Sequence, residues 1–173
     1  MQYQRVFAEF ETSKGTFKGE LFPLVAPKAV ANFIGLATGT KKFIDAKNGQ
    51  EVQRPFYKDQ IFHRVVSNFL IQGGCPLGNG TGWPGYRFED EFHPLYRHAK
   101  PGVMGMANAA PNQNGSQFYI TLNAAPDLDN KHTIFGQVIS GMNVVKAIGE
   151  VQTDINDRPV EKVELKNVKI IYQ

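Results

Sequence analysis

A closed antiparallel β-barrel with a helix at either end is the fold this sequence predicts, and three observations predict it. Short apolar runs bounded by Gly, Pro and Asn recur along the chain. Only two stretches change to a helical period. Strands and helices do not alternate as a doubly wound parallel sheet requires. Seven or eight strands in an open sheet would leave unpaired edges, and closure removes them. The 173 residues fit one domain over positions 1–173, long enough to bury a single core without staples.

The elements follow in order. Val6, Ala8 and Phe10 alternate with Phe7, Glu9 and Glu11; Ser13-Lys14-Gly15 makes a turn, and Phe17, Gly19 and Leu21 alternate again, which predicts a hairpin. Pro27 suits a first helical turn, Val30, Phe33, Ile34 and Ala37 share a face, and Gly39 stands where a helix stops, which predicts a helix over 27–38. From Gly39 to Pro55 the residues are mostly polar, with a turn at Asn48-Gly49, so this is an exposed loop with room for a small hairpin. Strands are then expected over Ile61–Val66, Phe69–Gly73, Val103–Ala107, Gln117–Leu122 and Thr133–Val138. Met142, Val145 and Ile148 predict a second helix ending near Gly149. In the last strand Val163 and Leu165 occupy one phase and Val168, Ile170 and Tyr172 the other, which predicts a β-bulge near Lys166 and Asn167.

Charge and cysteine content exclude several function classes. The net charge of +3 arises from nearly balanced acids and bases, with no Lys/Arg run of the kind that marks a nucleic-acid or membrane footprint. Cys75 is the single cysteine, so neither an internal disulfide nor a multi-cysteine zinc site is available. The first ten residues lack an apolar signal core, and no later stretch approaches the roughly eighteen apolar residues of a membrane span. A soluble, cytoplasmic, monomeric protein with no nucleic-acid or membrane partner is expected; a trimmed signal peptide would place it in the periplasm instead.

Several motifs invite a chemical reading and do not sustain it. Gly80-Thr81-Gly82-Trp83-Pro84-Gly85 has the spacing of a dinucleotide fingerprint, but Pro84 and Gly85 interrupt the helix whose amides would meet the phosphates, so a flexible surface loop is expected. Cys75 beside His63 or His132 could be a nucleophile and base, yet a lone Cys is more often a buried, idle thiol. His93 and His98 flank Pro94 and share no helix face, which argues against a metal site. Glu89-Asp90-Glu91 reads as a solvated acidic turn without a role.

Two segments carry more. Phe62-His63-Arg64-Val65-Val66-Ser67-Asn68-Phe69-Leu70-Ile71-Gln72-Gly73-Gly74 sets one arginine and one glutamine in an apolar, strand-like run. A guanidinium stays charged and is costly to desolvate unpaired, so either a carboxylate at the barrel rim or a ligand must answer it. The stretch Ala107 to Tyr119, with Asn108, Asn112, Asn114 and Gly115, is a turn-rich loop of small residues that can offer backbone groups to a peptide.

With Leu128-Asp129-Asn130-Lys131-His132-Thr133-Ile134-Phe135-Gly136, these segments form a set that resembles the cyclophilins, the cyclosporin-type peptidyl-prolyl cis-trans isomerases. The likeness runs from the first hairpin to the final strand; the loop over 39–55 and the phrase Ala125 to Asn130 are similar to bacterial members. It implies a mainly β fold, a closed eight-stranded antiparallel barrel capped by two α-helices. It also implies acceleration of rotation about X-Pro bonds in proline-containing polypeptides, without cofactor or metal. Arg64 is then the catalytic residue, and Phe69, Leu70, Gln72, Ala107, Asn108, Tyr119, Leu128 and His132 form the substrate groove, with His63 and Gln117 supporting. A proline-segment-binding chaperone or scaffold with low turnover is the alternative.

The chain departs from the family pattern at three positions. Leu70 replaces a common Met, a nearly volume-conserving change. Tyr119 replaces the usual Phe and brings a hydroxyl that needs a partner and could shrink or polarise the pocket. Asp127 stands where animal cytosolic members carry a tryptophan that bonds cyclosporin, so weak binding of that drug is expected.

Overall fold

In the computed structural model, which describes residues 4–173, strands β1 (Val6–Thr12) and β2 (Gly15–Leu21) form the expected hairpin. Phe10 lies opposite Phe17, and their rings stack at 4.6 Å on the buried face. Helix α1 (Pro27–Thr38) has proline in its first turn and stops at Gly39. The stop is enforced twice: Gly39 has φ 78°, and a Cβ there would lie 2.6 Å from the Pro55 nitrogen. The helix buries Phe33 among Phe10, Tyr57, Phe118 and Phe135. Truncating a ring so enclosed to alanine costs roughly 3–5 kcal/mol.

Within the polar stretch that follows, β3 (Phe43–Ile44) and β4 (Glu51–Val52) make a small separate hairpin, its turn held by the Lys47 amide donating to Asp45 Oδ1 at 2.8 Å. The remaining elements are β5 (Gln60–Ile61), β6 (Arg64–Val66), β7 (Leu70–Gly73), β8 (Val103–Met106), β9 (Phe118–Thr121), β10 (Ile134–Ser140), α2 (Met142–Gly149) and β11 (Glu164–Tyr172). Helix α2 buries Val145 and Ile148 of the expected face, with Val144 beside them, and leaves Met142 half-buried. No helix among the described residues is long and apolar enough to cross a membrane.

Closure and strand number differ from the expectation of a closed eight-stranded barrel. Nine strands form one sheet in the order β5-β11-β1-β2-β10-β8-β9-β7-β6, and it curls through 295° without closing. The edges β5 and β6 are consecutive in the chain. The run Ile61–Val66, expected as one strand, is in fact broken at Phe62-His63, because β5 pairs with β11 on one edge and β6 with β7 on the other. The chain itself crosses the seam, which single bonds dress in place of a ladder. The Phe62 amide donates to Val163 O at 2.9 Å, and the Val65 amide donates to Asp157 O at 2.8 Å. The unpaired edge is thereby covered without a ninth pairing in the sheet.

The bulge in β11 is where the phase change places it. Glu11 pairs with Asn167 but Thr12 pairs with Leu165, leaving Lys166 extra. That extra residue lets Leu165 and Val168 both face the core.

Candidate active site

Strand register alone assembles the centre of the site. Arg64 in β6 pairs with Gln72 in β7, Gln72 with Tyr119 in β9, and Tyr119 with Gly105 in β8, so four residues stand in one row across four strands. Side chains alternate between sheet faces, and Leu70, two residues before Gln72, joins the same face. The flanking positions Val65, Ile71, Phe118 and Ile120 turn to the opposite face and are buried in the core. Gly105 is required in this row, because a Cβ there would lie 2.2 Å from both Cζ and Oη of Tyr119.

A chain of amides fixes the guanidinium. Arg64 Nη1 donates to Gln72 Oε1 at 3.2 Å, Gln72 Nε2 donates to Gln117 Oε1 at 3.0 Å, and Gln117 Nε2 donates to the carbonyls of Gly80 and Gly82, each at 2.9 Å. The glycine loop is therefore tied down rather than flexible. Cys75 is buried and its sulfur accepts the amides of Gly80 and Gly82 at 3.3 Å each, an anchoring role that leaves no nucleophile and base pair.

The acidic turn has a role that the sequence did not disclose. Asp90 accepts the Asn112 amide at 2.9 Å and Asn114 Nδ2 at 2.8 Å, and so shapes the loop that carries Asn108. Glu91 accepts the amides of Lys28 and Ala29, each at 2.9 Å, capping α1 where Ala26 offers no side-chain cap. Glu89 pairs with Lys28. The bonds of Glu89 and Glu91 span more than sixty residues of sequence and those of Asp90 more than twenty, so local pattern cannot reveal them. The Asn108 side chain turns inward to Lys131 O at 3.3 Å, while its own N–H and C=O have no hydrogen-bond partner among the described residues. The carbonyl of Met106 can only accept, so its contact with His132 Nδ1 at 3.1 Å places a proton on that nitrogen.

Tyr119 neither shrinks nor polarises the hollow through its hydroxyl. The hydroxyl passes Gly105 to reach His98 Nε2 at 2.5 Å, and His98 Nδ1 meets Asp129 Oδ1 at 2.8 Å. The rings of His132 and Tyr119 meet in a T-shaped contact, at 5.6 Å and 89°. His98 and Asp129 are site-supporting residues that sequence reasoning missed; the only signal was the unpaired hydroxyl that Tyr119 brings.

Arg64, Phe69, Leu70, Gln72, Ala107, Asn108, Tyr119, Leu128, His132 and His63 line one hollow of about 700 Å³. Gln117 lies outside it, in an adjoining hollow of about 250 Å³ that shares Gln72, Gly80, Ala107 and Asn108 and is bounded by Trp83 and Arg87. Asp127 is exposed on a helical turn over Pro126–Leu128 and does not line either hollow. His63 is 6% exposed; burial, then the charges of Arg158 and Arg64, push its imidazole down to about 4. No group of three or more potential metal-ligating side chains occurs among the described residues. A fixed cation beside Phe69, Leu70, Tyr119 and Leu128 suits an apolar ring attached to a polar, rotatable bond.

Comparison with known proteins identifies the family of the chain. The family model described as cyclophilin type peptidyl-prolyl cis-trans isomerase/CLD matches residues 7–170. Peptidyl-prolyl cis-trans isomerase A of Mycobacterium tuberculosis is 48% identical over 165 residues, covering 94% of this chain and 91% of the relative. Peptidyl-prolyl cis-trans isomerase B of Streptomyces anulatus is 44% identical over 170 residues, covering 96% and 97%. A cyclophilin type isomerase of Cryptosporidium parvum, crystallised in the presence of the dipeptide Ala-Pro, superposes with a TM-score of 0.84 at 32% identity, covering 95% of this chain and 98% of that one. The match spans the curled sheet, both helices and every strand of the Arg64 row, and by it the chain belongs to the cyclophilin-type peptidyl-prolyl cis-trans isomerase family.

Proposed function

We propose that this chain, as one cyclophilin-like domain, accelerates rotation about X-Pro bonds in polypeptides, with Arg64 as the catalytic residue. One observation carries the reading: a guanidinium with no carboxylate partner among the described residues is held by Gln72 at an apolar hollow. Rotation about an X-Pro bond is slow because the nitrogen lone pair is shared with the carbonyl. No covalent bond has to break. In the twisted state the proline nitrogen regains its lone pair and can accept a hydrogen bond that it could not accept when planar. A donor placed there favours the twisted state over both planar ones.

Arg64 is that donor. Phe69, Leu70, Tyr119 and Leu128 hold the proline ring by apolar contact, His132 closes the hollow beside Tyr119, and Gln72, Ala107 and the Asn108 backbone hold the substrate main chain. Gln117 supports the arginine through Gln72, and His63 supports it from the wall of the same hollow. A hundred-thousandfold acceleration needs about 7 kcal/mol of barrier lowering, at roughly 1.4 kcal/mol per tenfold. A hydrogen bond to a charged group contributes about 1.5–3 kcal/mol, so holding one side of the bond while the other turns must supply the rest. Arg64→Ala is expected to lower the isomerisation rate by about a hundredfold or more, a loss of the size typical for a preorganised donor, with a small change in peptide affinity, both read by exchange spectroscopy. Full speed in that variant would exclude this role.

A further inference from the structure

The hollow is larger than a proline ring needs. At about 700 Å³ it has the volume of a site for a ligand several times that size, and beyond the apolar residues it is walled by His63, Asn79, Asn156 and Arg158. Two guanidinium groups, Arg64 and Arg158, therefore line one cavity. Neither lies within ion-pair distance of a carboxylate among the described residues.

The position of Arg158 is built into the fold. Its amide donates to Asp154 Oδ1 at 3.1 Å, and its carbonyl accepts the Asp154 amide at 2.8 Å, with Thr153 and Pro159 bridging the base of the turn. The turn docks on edge strand β6 through the bond from the Val65 amide to Asp157 O. Neither nearby acid pairs with the Arg158 guanidinium: the adjacent Asp157 makes no ion pair with it, and Asp154 uses Oδ1 on the backbone amides of Asn156 and Arg158. Burial chiefly, and then the charges of Arg158 and Arg64, lower the His63 ring, so both guanidinium groups act on the same wall of the cavity.

We infer that this end of the cavity is a carboxylate subsite, in which Arg158, with the side-chain amide of Asn156, recognises a Glu or Asp side chain flanking the substrate proline while Arg64 faces the imide nitrogen. The inference rests on the isomerase reading and adds a substrate preference to it. Arg64 alone cannot serve both the imide nitrogen and a side chain, and Arg158 supplies the second cation. Arg158 is exposed, so its contribution is modest and salt-sensitive.

The test uses the full chain and peptides of one length, with Glu or Gln at each of the two positions before and the two positions after proline. At one or more positions the Glu peptide is expected to show kcat/KM about three- to fivefold above its Gln counterpart at low salt, the range of an exposed ion pair. The advantage should vanish in Arg158→Gln and at high salt, and Arg158→Glu should favour Lys at that position instead. Turnover of the Gln peptides should be unchanged in Arg158→Gln. Equal kcat/KM for Glu and Gln at all four positions, or an advantage that survives Arg158→Gln, overturns the subsite. If no peptide is turned over, the isomerase reading fails, and calorimetric affinities of the same peptides for the native chain and Arg158→Gln then decide the subsite alone.

Discussion

The hydroxyl of Tyr119 lies 2.5 Å from Nε2 of His98, a side chain with no solvent exposure. Burial pushes His98 below the usual histidine range against the opposing pull of Asp129. With Nδ1–H donating to Asp129, the Nε2 lone pair is left to accept the Tyr119 hydroxyl proton. Burial works to raise Asp129, and the hydrogen bonds from the His98 amide and ring outweigh it and hold the carboxyl below its ordinary value. The pocket floor is thus an aromatic ring whose polar end is satisfied behind it.

Tyr119→Phe removes the donor and leaves a buried imidazole nitrogen without a partner. Unfolding free energy is expected to drop by about 1–3 kcal/mol, read by urea denaturation. The ring remains, so kcat/KM for a neutral peptide should change by less than about threefold. A large loss of turnover at unchanged stability would show that the hydroxyl acts on the substrate.

Glu91 caps α1 from a segment 62 or more residues away while making no contact with the hollow. Glu91→Ala should lower stability by about 1–2 kcal/mol, the range for a lost helix cap, and Glu91→Gln by less because one acceptor oxygen remains. Thermal unfolding of the three proteins should rank them native, Gln, Ala. Equal midpoints would remove the cap from the account of α1.

Cyclosporin should bind weakly, because Asp127 offers an exposed carboxylate and no indole donor. Asp127→Trp is expected to tighten binding by about tenfold, equivalent to one hydrogen bond of roughly 1.4 kcal/mol. Calorimetry gives the comparison, and a nanomolar Kd for the native chain would contradict it.

His63 predicts the acid side of the stability profile. Its folded pKa, about 4, is below its ordinary value of 6.5, so the unfolded chain takes up a proton first as pH falls. The stabilising difference is fully present above pH 6.5 and is lost progressively down to about pH 4, by at most about 3 kcal/mol. His63→Gln should flatten that part of the curve in urea titrations at successive pH values. An unchanged slope would mean that the ring protonates as easily folded as unfolded.

Features that depend on neighbours in sequence were legible. The limits of α1 follow from Pro27 and Gly39, whose backbone preferences act within one turn. The bulge at Lys166 follows from a phase change that only an extra residue can reconcile with one buried face. The groove residues were legible through the resemblance, and the register of β6, β7, β9 and β8 brings Arg64, Gln72 and Tyr119 into one row. The acidic turn was misread because carboxylates on the surface are mostly solvated, and nothing local distinguishes Glu91 from such a residue.

By itself the sequence determined most of the strands, the two helices and the interruption of period in β11, and through its resemblance it named residues that line the hollow. Periodicity, proline and glycine act over a few residues and are written in order along the chain. The tertiary structure alone decided that the sheet stays open at the Phe62-His63 seam, that His98 and Asp129 secure Tyr119, and that Arg158 shares a cavity with Arg64. Those outcomes depend on which distant atoms come within hydrogen-bonding or Coulombic range, and that is set by the curvature of the whole sheet.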